Sequence, residues 1–506
     1  MPTNRVCASV SRRAQESPES TALWFGEERI TYRQLHVRTT ELSQEIDRLL
    51  PDRDRPVCVT VHKTPDAVAL LLALFGAGRQ VLLPSAGLGE QVVQELARRA
   101  GCSQILFLAP GDGSTAAARS VVPGRTPTAE PPGPENSLLF LTTSGSTGIP
   151  KIVPILRAAQ DRFTDWAADA FDIAPGRTVL SYAPLNFDLS LLDVWTTLAV
   201  GGSVALVPAD RSTDAGYLLD LIERTRVHLV QSVPMLFRLL TEASVSRGDR
   251  LPVRLEHAVI TGDSTMADLL VRIRRGLPGA RLYNLYGCTE TNDSLLHRIT
   301  DADVASAAAG MADAAVWKGL PLGRPLPGVR TVLVDEYGRD LEGPGTGELL
   351  VSTPFQTSGY LDPGLTADRF VPRAGAPAPF YRTGDVVTRA ADGTLTLEGR
   401  NDFQVKVRGV RTNLQEVERV LARHPEVREA VVVAIPDTEA GVRLHALVER
   451  PRDSRLNSLD LRRHLSERLP RTSIPSSFTI TDEPFPRTST GKPDRKLIAN
   501  LRHVKG

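Results

Sequence analysis

Short apolar runs alternating with amphipathic stretches, spread over a chain of 506 residues, predict a layered α/β protein. Two changes of texture refine that class. After Gly328 the sequence turns to glycine-punctuated β segments, and after Asn401 to a compact α+β unit of about 100 residues, the usual size of a small domain. The expected division is a large N-terminal α/β domain with a β-rich subdomain, residues 1–401, followed by a small α+β domain, residues 402–506.

In chain order, Ile30 to Leu35 opens an amphipathic segment. Val57 to Val61 then reads as a strand before the apolar helix Ala67 to Phe75. Gly76 to Gly78 turns into a strand from Gln80 to Leu83, and Ile105 to Leu108 supplies another. Gly111 to Pro134, rich in Gly, Pro, Ala, Ser and Thr without periodicity, reads as a mobile surface connection. Further short strands are expected at Leu138–Leu141, Val179–Tyr182, Ser203–Val207, Leu229–Val233, Ala258–Thr261 and Arg281–Asn284, with a helix from Ala215 to Thr225. Ala302 to Ala315 suits helix or loop. Thr331–Val334, Gly347–Ser352 and Thr394–Glu398 suggest a small barrel or sheet. The last unit reads as strand Gln404–Arg408, helix Gln415–Arg423, strands Ala430–Ala434 and Leu444–Val448, and helix Ser458–Leu469.

A hydrophobic fraction of 41% and a formal net charge of +1 describe an ordinary globular protein and give no reason for a nucleic-acid partner. The most apolar stretch, Ala67 to Ala77, is too short to span a bilayer, and no signal-peptide pattern precedes Arg12-Arg13, so a cytoplasmic protein with no membrane partner is expected. Cys7, Cys58, Cys102 and Cys288 form no Cys-x-x-Cys pair and read as free thiols. Only seven of 60 basic residues are lysines: Lys63, Lys151, Lys318, Lys406, Lys492, Lys496 and Lys505. A lysine kept against such an arginine bias suggests a position that needs a compact, flexible ammonium.

The chemistry starts where the apolar run to Leu141 empties into small residues. Thr143, Ser144, Ser146 and Thr147 offer hydroxyls, Gly145 and Gly148 let backbone N–H groups approach, and Lys151 adds a cation. That set suits a polyphosphate. Pro150 and Ile152 flank the lysine, so the string is not a Walker A loop, and a flexible linker is not normally launched from a buried strand. Asn284-Leu285-Tyr286-Gly287-Cys288-Thr289-Glu290 follows a strand and combines a ring, a turn glycine, a hydroxyl and a carboxylate; alone it would pass for a strand-ending turn. Tyr381-Arg382-Thr383-Gly384-Asp385 sets a carboxylate after a turn glycine, suited to two vicinal ribose hydroxyls, though an isolated Thr-Gly-Asp is by default a β-turn. Gly399 to Gly409 holds Arg400, Asp402 and Lys406, and Ser489 to Arg495 presents Lys492 between a glycine and a proline. In Phe187-Asp188-Leu189-Ser190 the aspartate alone reads as a helix N-cap.

Taken jointly, these strings resemble those of the adenylate-forming superfamily of acyl-CoA synthetases, luciferases and non-ribosomal peptide synthetase adenylation domains, over nearly the whole chain. The resemblance implies ATP and Mg²⁺ as cofactors. It implies that Thr143, Ser144, Gly145, Ser146, Thr147, Gly148 and Lys151 hold phosphate, with Thr143 and Glu290 in the catalytic set. Asn284 and Tyr286 would bind adenine, Thr289 phosphate and Glu290 the metal, while Asp385, Arg400 and Lys406 would contact ribose. Asp402 would be a hinge about which the last domain moves, and Lys492 the catalytic lysine bridging substrate carboxylate and α-phosphate. The strand to Gly409 would line a pantetheine channel in a second conformation. Cys288 stands where a proline is usual, and Thr412-Asn413-Leu414-Gln415 where Ile-Glu-Leu-Gly is usual.

Within the superfamily, Asp188 matches the residue that pairs with a substrate α-ammonium. Carried over position by position, the pocket is Asp188, Leu189, Leu192, Gln231, Val259, Thr261, Leu285, Asp293 and Ser294, closed by Lys492. Its aliphatic walls exclude aromatic side chains on volume, and its polar members suit a hydroxyl, amide or amine. The resemblance therefore implies a ligase activating a small or medium α-amino acid, with proline and small polar residues as leading candidates. Only 14 residues follow Lys492, which leads to the expectation of a separate phosphopantetheinylated carrier protein as acceptor, in natural-product or antibiotic biosynthesis. An amino-acid or other carboxylate CoA ligase, a β-amino-acid-activating ligase and a non-catalytic adenylate-binding protein stay open as alternatives.

Overall fold

The computed structural model describes residues 4–50, 52–108, 115–121, 136–143, 149–245, 255–312, 317, 319–400, 404–437, 441–483, 485 and 498. The chain divides into two compact units. One comprises residues 1–86, 97–142 and 152–399, the other residues 87–96, 143–151 and 400–506.

In the larger unit, Pro65–Gly76 forms a helix buried on every side from Ala67 to Phe75. Thr64 caps it, Pro65 starts it where no N–H is needed, and its apolar residues on all faces require protein on all faces. Each large aliphatic or aromatic side chain buried there is worth about 1.5–3 kcal/mol of transfer free energy. Covering it is a six-stranded sheet in the order Ala116–Ser120, Gln104–Leu108, Val57–Thr60, Val81–Leu82, Ser137–Thr143, Lys151–Leu156. The expected featureless connection from Gly111 to Pro134 is therefore corrected in part: Ala116–Ser120 pairs antiparallel with Gln104–Leu108 and extends the sheet edge. Small residues hid it, since alanine carries little strand propensity. The rest of that connection lies outside the described residues.

The second sheet has nine strands, ordered Arg324–Pro325, Asn292–Arg298, Arg281–Cys288, His257–Thr261, Val227–Ser232, Thr178–Ser181, Ser203–Leu206, Thr21–Phe25, Glu28–Thr31. Its central strands run parallel, and antiparallel hairpins close both edges. One face, with Leu229, Val259 and Leu285, shares a core with the buried helix and the six-stranded sheet. The other, with Val230, Ala258, Ile260 and Leu282, packs on apolar residues of helices Ala215–Arg224, Pro234–Val245 and Ala267–Gly276. Layered α/β is the observed class. A separate sheet joins Arg330–Val334, Gly345–Ser352, Phe380–Arg389, Phe370–Val371 and Leu395–Arg400, so the β-rich region is a sheet and not a closed barrel. Asp301–Ala312 is helical.

The smaller unit contains a hairpin of Gln404–Val407 and Val410–Asn413 turned by Arg408 and Gly409, both at positive φ. Two left-handed residues match the strand twist in so tight a turn. Helix Leu414–Ala422 follows, and Asn413 caps it by accepting from the N–H groups of Gln415 and Glu416. That gives the unusual Thr412-Asn413 dipeptide a local purpose. Strands Glu429–Asp437, Gly441–Glu449 and Ser477–Thr481 form a sheet, and Ser458–Ser466 packs through Leu461 and Leu465. Among the described residues, no helix is long and apolar enough to cross a membrane.

Glu416 is buried in this unit, and desolvation pushes its carboxyl up to about 8 against the opposing charge of Arg419. A folded-state value above the unfolded one means stability fully present below the unfolded value near 4.5 and lost as pH rises through about 8. In urea unfolding of the full chain, raising pH from about 5.5 to 8.5 is expected to cost up to about 4 kcal/mol. Glu416→Gln should remove most of that slope; equal pH slopes for parent and variant would show that Glu416 does not set it.

Candidate functional site

The sequence string Asn284 to Glu290 is not a loop after a strand. Arg281–Cys288 continues as strand through Gly287, and the turn comes at 288–291, where Thr291 N–H donates to the Cys288 carbonyl. The reason is an irregular pairing: Tyr286 faces Leu295, but Gly287 faces Asp293. A Cβ on Gly287 would lie 2.3 Å from the Asn292 carbonyl oxygen, so only glycine permits the approach. Cys288 Sγ sits 3.3 Å from Thr291 Oγ1, spanning the turn where a proline was expected.

That turn delivers two side chains. Thr289 Oγ1 donates to Asp188 Oδ2 at 2.6 Å. Glu290 is fully buried, accepts from the Tyr360 hydroxyl at 2.6 Å, and Tyr360 is 3.2 Å from the Tyr381 hydroxyl. The next residue, Leu361, donates from its backbone to the Ile152 carbonyl. One residue before the turn glycine, Tyr286 donates to Asp385 Oδ2 at 2.5 Å, and burial together with that carboxylate pushes its phenol well above the ordinary range. Asn284 lies on the opposite sheet face from Leu285, by strand alternation, and donates to the Pro321 carbonyl at 2.8 Å.

Asp385 sits not in an isolated β-turn but inside the ten-residue strand Phe380–Arg389. The register against Gly345–Ser352 slips there, and Gly384 takes φ +74°. Glu348 holds the bulge, accepting from Arg382 at 2.5 Å and from the Gly384 N–H at 3.2 Å, while Thr383 Oγ1 accepts from the Asp385 N–H at 3.0 Å. Bulges re-aim side chains, and this one turns Asp385 toward Tyr286.

Asp188 is no side-chain N-cap. The helix after it, Leu191–Thr196, is a π-helix whose N-cap is Ser190, and Asp188 accepts the first backbone bond, from Leu191. Thr196 and Thr197 hydroxyls return to the carbonyls of Leu191 and Leu192, and Gln160 donates to the Leu191 carbonyl, occupying acceptors that the wider winding frees. Parallel register puts Gln231 beside Val259, Val259 beside Tyr283, and Thr261 beside Leu285, all on one face. Leu192 joins the same core, and Leu189 is buried. Ser294 is buried with its hydroxyl donated to Thr291 Oγ1 and the Asn292 carbonyl, so it serves the turn.

Three members were not legible as site residues. Asp193, on the π-helix, is completely buried, and neither carboxylate oxygen has a hydrogen-bond donor. Lys63, noticed only for its rarity, is buried with its ammonium donating to the carbonyls of Ser181 (2.5 Å), Tyr182 (2.8 Å) and Ala183 (2.9 Å). Burial pushes Lys63 down to about 7 while Asp193 opposes, and burial raises Asp193 while Lys63 opposes. Tyr360 was the third, carrying no motif of its own. Burial and the charge of Asp188 also raise Asp293.

In the smaller unit Thr143 ends its strand with a buried, unpartnered hydroxyl oxygen, and Lys151 is buried at the start of the next. Arg400 closes strand Leu395–Arg400, and Lys406 lies in the Gln404–Val407 hairpin strand. Ser144, Gly145, Ser146, Thr147 and Gly148, the hinge candidate Asp402 and the catalytic candidate Lys492 lie outside the described residues.

Residues 10–361 match the model of the AMP-binding enzyme family, and residues 416–492 that of the AMP-binding enzyme C-terminal domain. An L-proline--[L-prolyl-carrier protein] ligase of Streptomyces coelicolor is 34% identical over 370 residues, 72% of this chain and 66% of that protein. A D-alanine--D-alanyl carrier protein ligase of Bacillus cereus is 29% identical over 508 residues, 97% of this chain and 98% of that one. Among solved structures, the artificially fused adenylation-PCP di-domain NpsA-ThdA from Klebsiella oxytoca superposes with TM-score 0.76 at 26% identity, covering 95% of this chain and 94% of that.

Gly287→Ala is expected to destabilise the chain by about 1–3 kcal/mol, the usual cost of overpacking, because the added methyl meets backbone on the facing strand. An unchanged denaturation midpoint would show that the hairpin yields freely.

Proposed function

The chain belongs to the AMP-binding enzymes, and we propose that it adenylates a small or medium α-amino acid and transfers it to the phosphopantetheine thiol of a carrier protein. One observation carries this reading: the 2.6 Å bond from Thr289 to Asp188 joins the hydroxyl assigned to phosphate to the carboxylate assigned to an α-ammonium. Such a link supports a site in which the two halves of an aminoacyl-adenylate would lie side by side.

Asp188 orients the amino acid through its ammonium, so that the carboxylate faces the α-phosphorus of ATP. Tyr286 and Asp385, already bonded to each other, hold the nucleoside side, Asp385 through ribose hydroxyls. By the resemblance, Arg400 and Lys406 would also contact ribose. The unpartnered hydroxyl of Thr143 supplies a phosphate donor, with the loop to Gly148 and Lys151. Buried Glu290, one oxygen held by Tyr360, fits an Mg²⁺ ion that takes one protein carboxylate and the phosphates. Bound there, Mg²⁺ offsets charge on the phosphates. By the resemblance, Lys492 would bridge the attacking carboxylate and the α-phosphate in the adenylation step. Leu189, Leu192, Val259 and Leu285 limit the side chain to small or medium size, with proline and small polar residues as candidates.

Amino-acid-dependent ATP–pyrophosphate exchange, followed by mass spectrometry of the loaded acceptor, tests the whole reading; loading of CoA in preference to a carrier protein would replace the acceptor. Lys492→Ala should abolish exchange yet leave thioester formation from supplied adenylate largely intact, and equal loss of both half-reactions would remove the lysine from the first step alone. Asp188→Ala should cost about 2 kcal/mol or more in amino-acid recognition, roughly thirtyfold in KM, since a desolvated ammonium loses its partner. Undiminished use of the amino acid by that variant would dissociate Asp188 from the ammonium.

A further inference from the structure

The larger unit holds a cavity of about 610 Å³ that shares no wall residue with the site described above. Three residues of its wall, Thr21, Thr178 and Ser203, open neighbouring parallel strands of the nine-stranded sheet, so the cavity lies at their amino ends. The chain leaves for the Asp188 turn from the other end, at Ser181, about 10 Å further along its strand at roughly 3.3 Å per residue.

The wall is cationic. Arg13, Arg29 and Arg226 bring three guanidinium groups to it, and its one carboxylate, Glu19, is already paired with Arg33 at 3.1 Å. Arg29 donates to neutral acceptors, Thr21 Oγ1 at 2.8 Å and the Glu19 carbonyl, which leave its charge in place. Among the described residues, the side chains of Arg13 and Arg226 have no hydrogen-bond or ion-pair partner. Beside them the buried hydroxyls of Thr178 and Ser203 lie 2.7 Å apart.

Arg13 is also fitted to its place. Gly201 takes φ +84°, and the next residue, Gly202, accepts from the Tyr32 hydroxyl at 2.6 Å, which pins the turn. A Cβ on residue 201 would run into Arg13 Nε, an atom shut from water and without an acceptor. The glycine therefore lets a guanidinium lie against backbone, and desolvation there makes an unbalanced charge costly.

We infer that this cavity binds a small free organic phosphate. Guanidinium forks match phosphate oxygens, and three of them suit a tetrahedral dianion better than a carboxylate, which one fork satisfies. The volume lies in the range of small-molecule sites and exceeds what inorganic phosphate fills, and Trp24 in the wall adds apolar surface for the organic part.

Isothermal titration of the full chain, saturated with AMP so that the nucleotide site is filled, tests this with inorganic phosphate, glucose 6-phosphate and acetate at matched ionic strength. Both phosphates should bind at one further site, with acetate weaker by about tenfold or more. Arg13→Gln and Arg226→Gln should each weaken phosphate binding by about tenfold or more, the effect of losing one charge-assisted hydrogen bond. Gly201→Ala, which displaces the Arg13 side chain, should act like Arg13→Gln. Arg226 is exposed, so its variant decides the matter if the other two fail to fold. No phosphate binding to the AMP-saturated chain, an equal response to acetate, or affinities unmoved by the arginine substitutions would reduce the effect to charge screening and overturn the inference. Loss of the binding in Lys151→Ala would return it to the nucleotide site, with the same consequence.

Discussion

A lysine ammonium shut away from water must find acceptors, and Lys63 finds three, the carbonyls of residues 181–183. It stands just beyond strand Val57–Thr60 of the six-stranded sheet, whereas those carbonyls begin at the end of Thr178–Ser181, a central strand of the nine-stranded one. The contact therefore ties the two sheets where the chain leaves for the Asp188 turn. An arginine would need more room and would present a planar fork to acceptors that converge on a point. Here the scarcity of lysine in the sequence has a geometric counterpart.

From that tie the site is assembled by departures from regular structure. A π-helix sets Asp193 and Leu192, a strand irregularity at Gly287 sets Thr289 and Glu290, and a bulge at Gly384 sets Asp385. Each departure is held by polar contacts made elsewhere: Thr196, Thr197 and Gln160 for the helix, Ser294 and Thr291 for the turn, Glu348 for the bulge. Irregular backbone has orphaned groups to satisfy, so it persists only where neighbours supply partners.

Electrostatics in this region follow from burial. Asp193, Asp293, Lys63 and Tyr286 are all shifted toward their neutral forms, with desolvation as the first cause in each. The charges of Lys63 and Asp193 oppose each other's burial shift in part, and Tyr286 is bonded to Asp385.

The sequence by itself determined the α/β class, most strands of both sheets, the buried helix from Ala67 and the motif residues, because apolar periodicity and glycine-punctuated strings are local signals. It also determined the family, through strings specific enough to stand without contacts. What only the tertiary structure decided was which of those residues touch. The bond from Thr289 to Asp188 spans 101 positions, that from Tyr286 to Asp385 spans 99, and Lys63 reaches carbonyls about 120 residues away. No periodicity encodes such pairings. Tyr360 and Asp193 sat in unremarkable strings, and the alanines of 116–120 gave a strand no apolar signature. Their positions come from the register of sheets and from the need of buried polar groups for partners, conditions that exist only once the chain is folded.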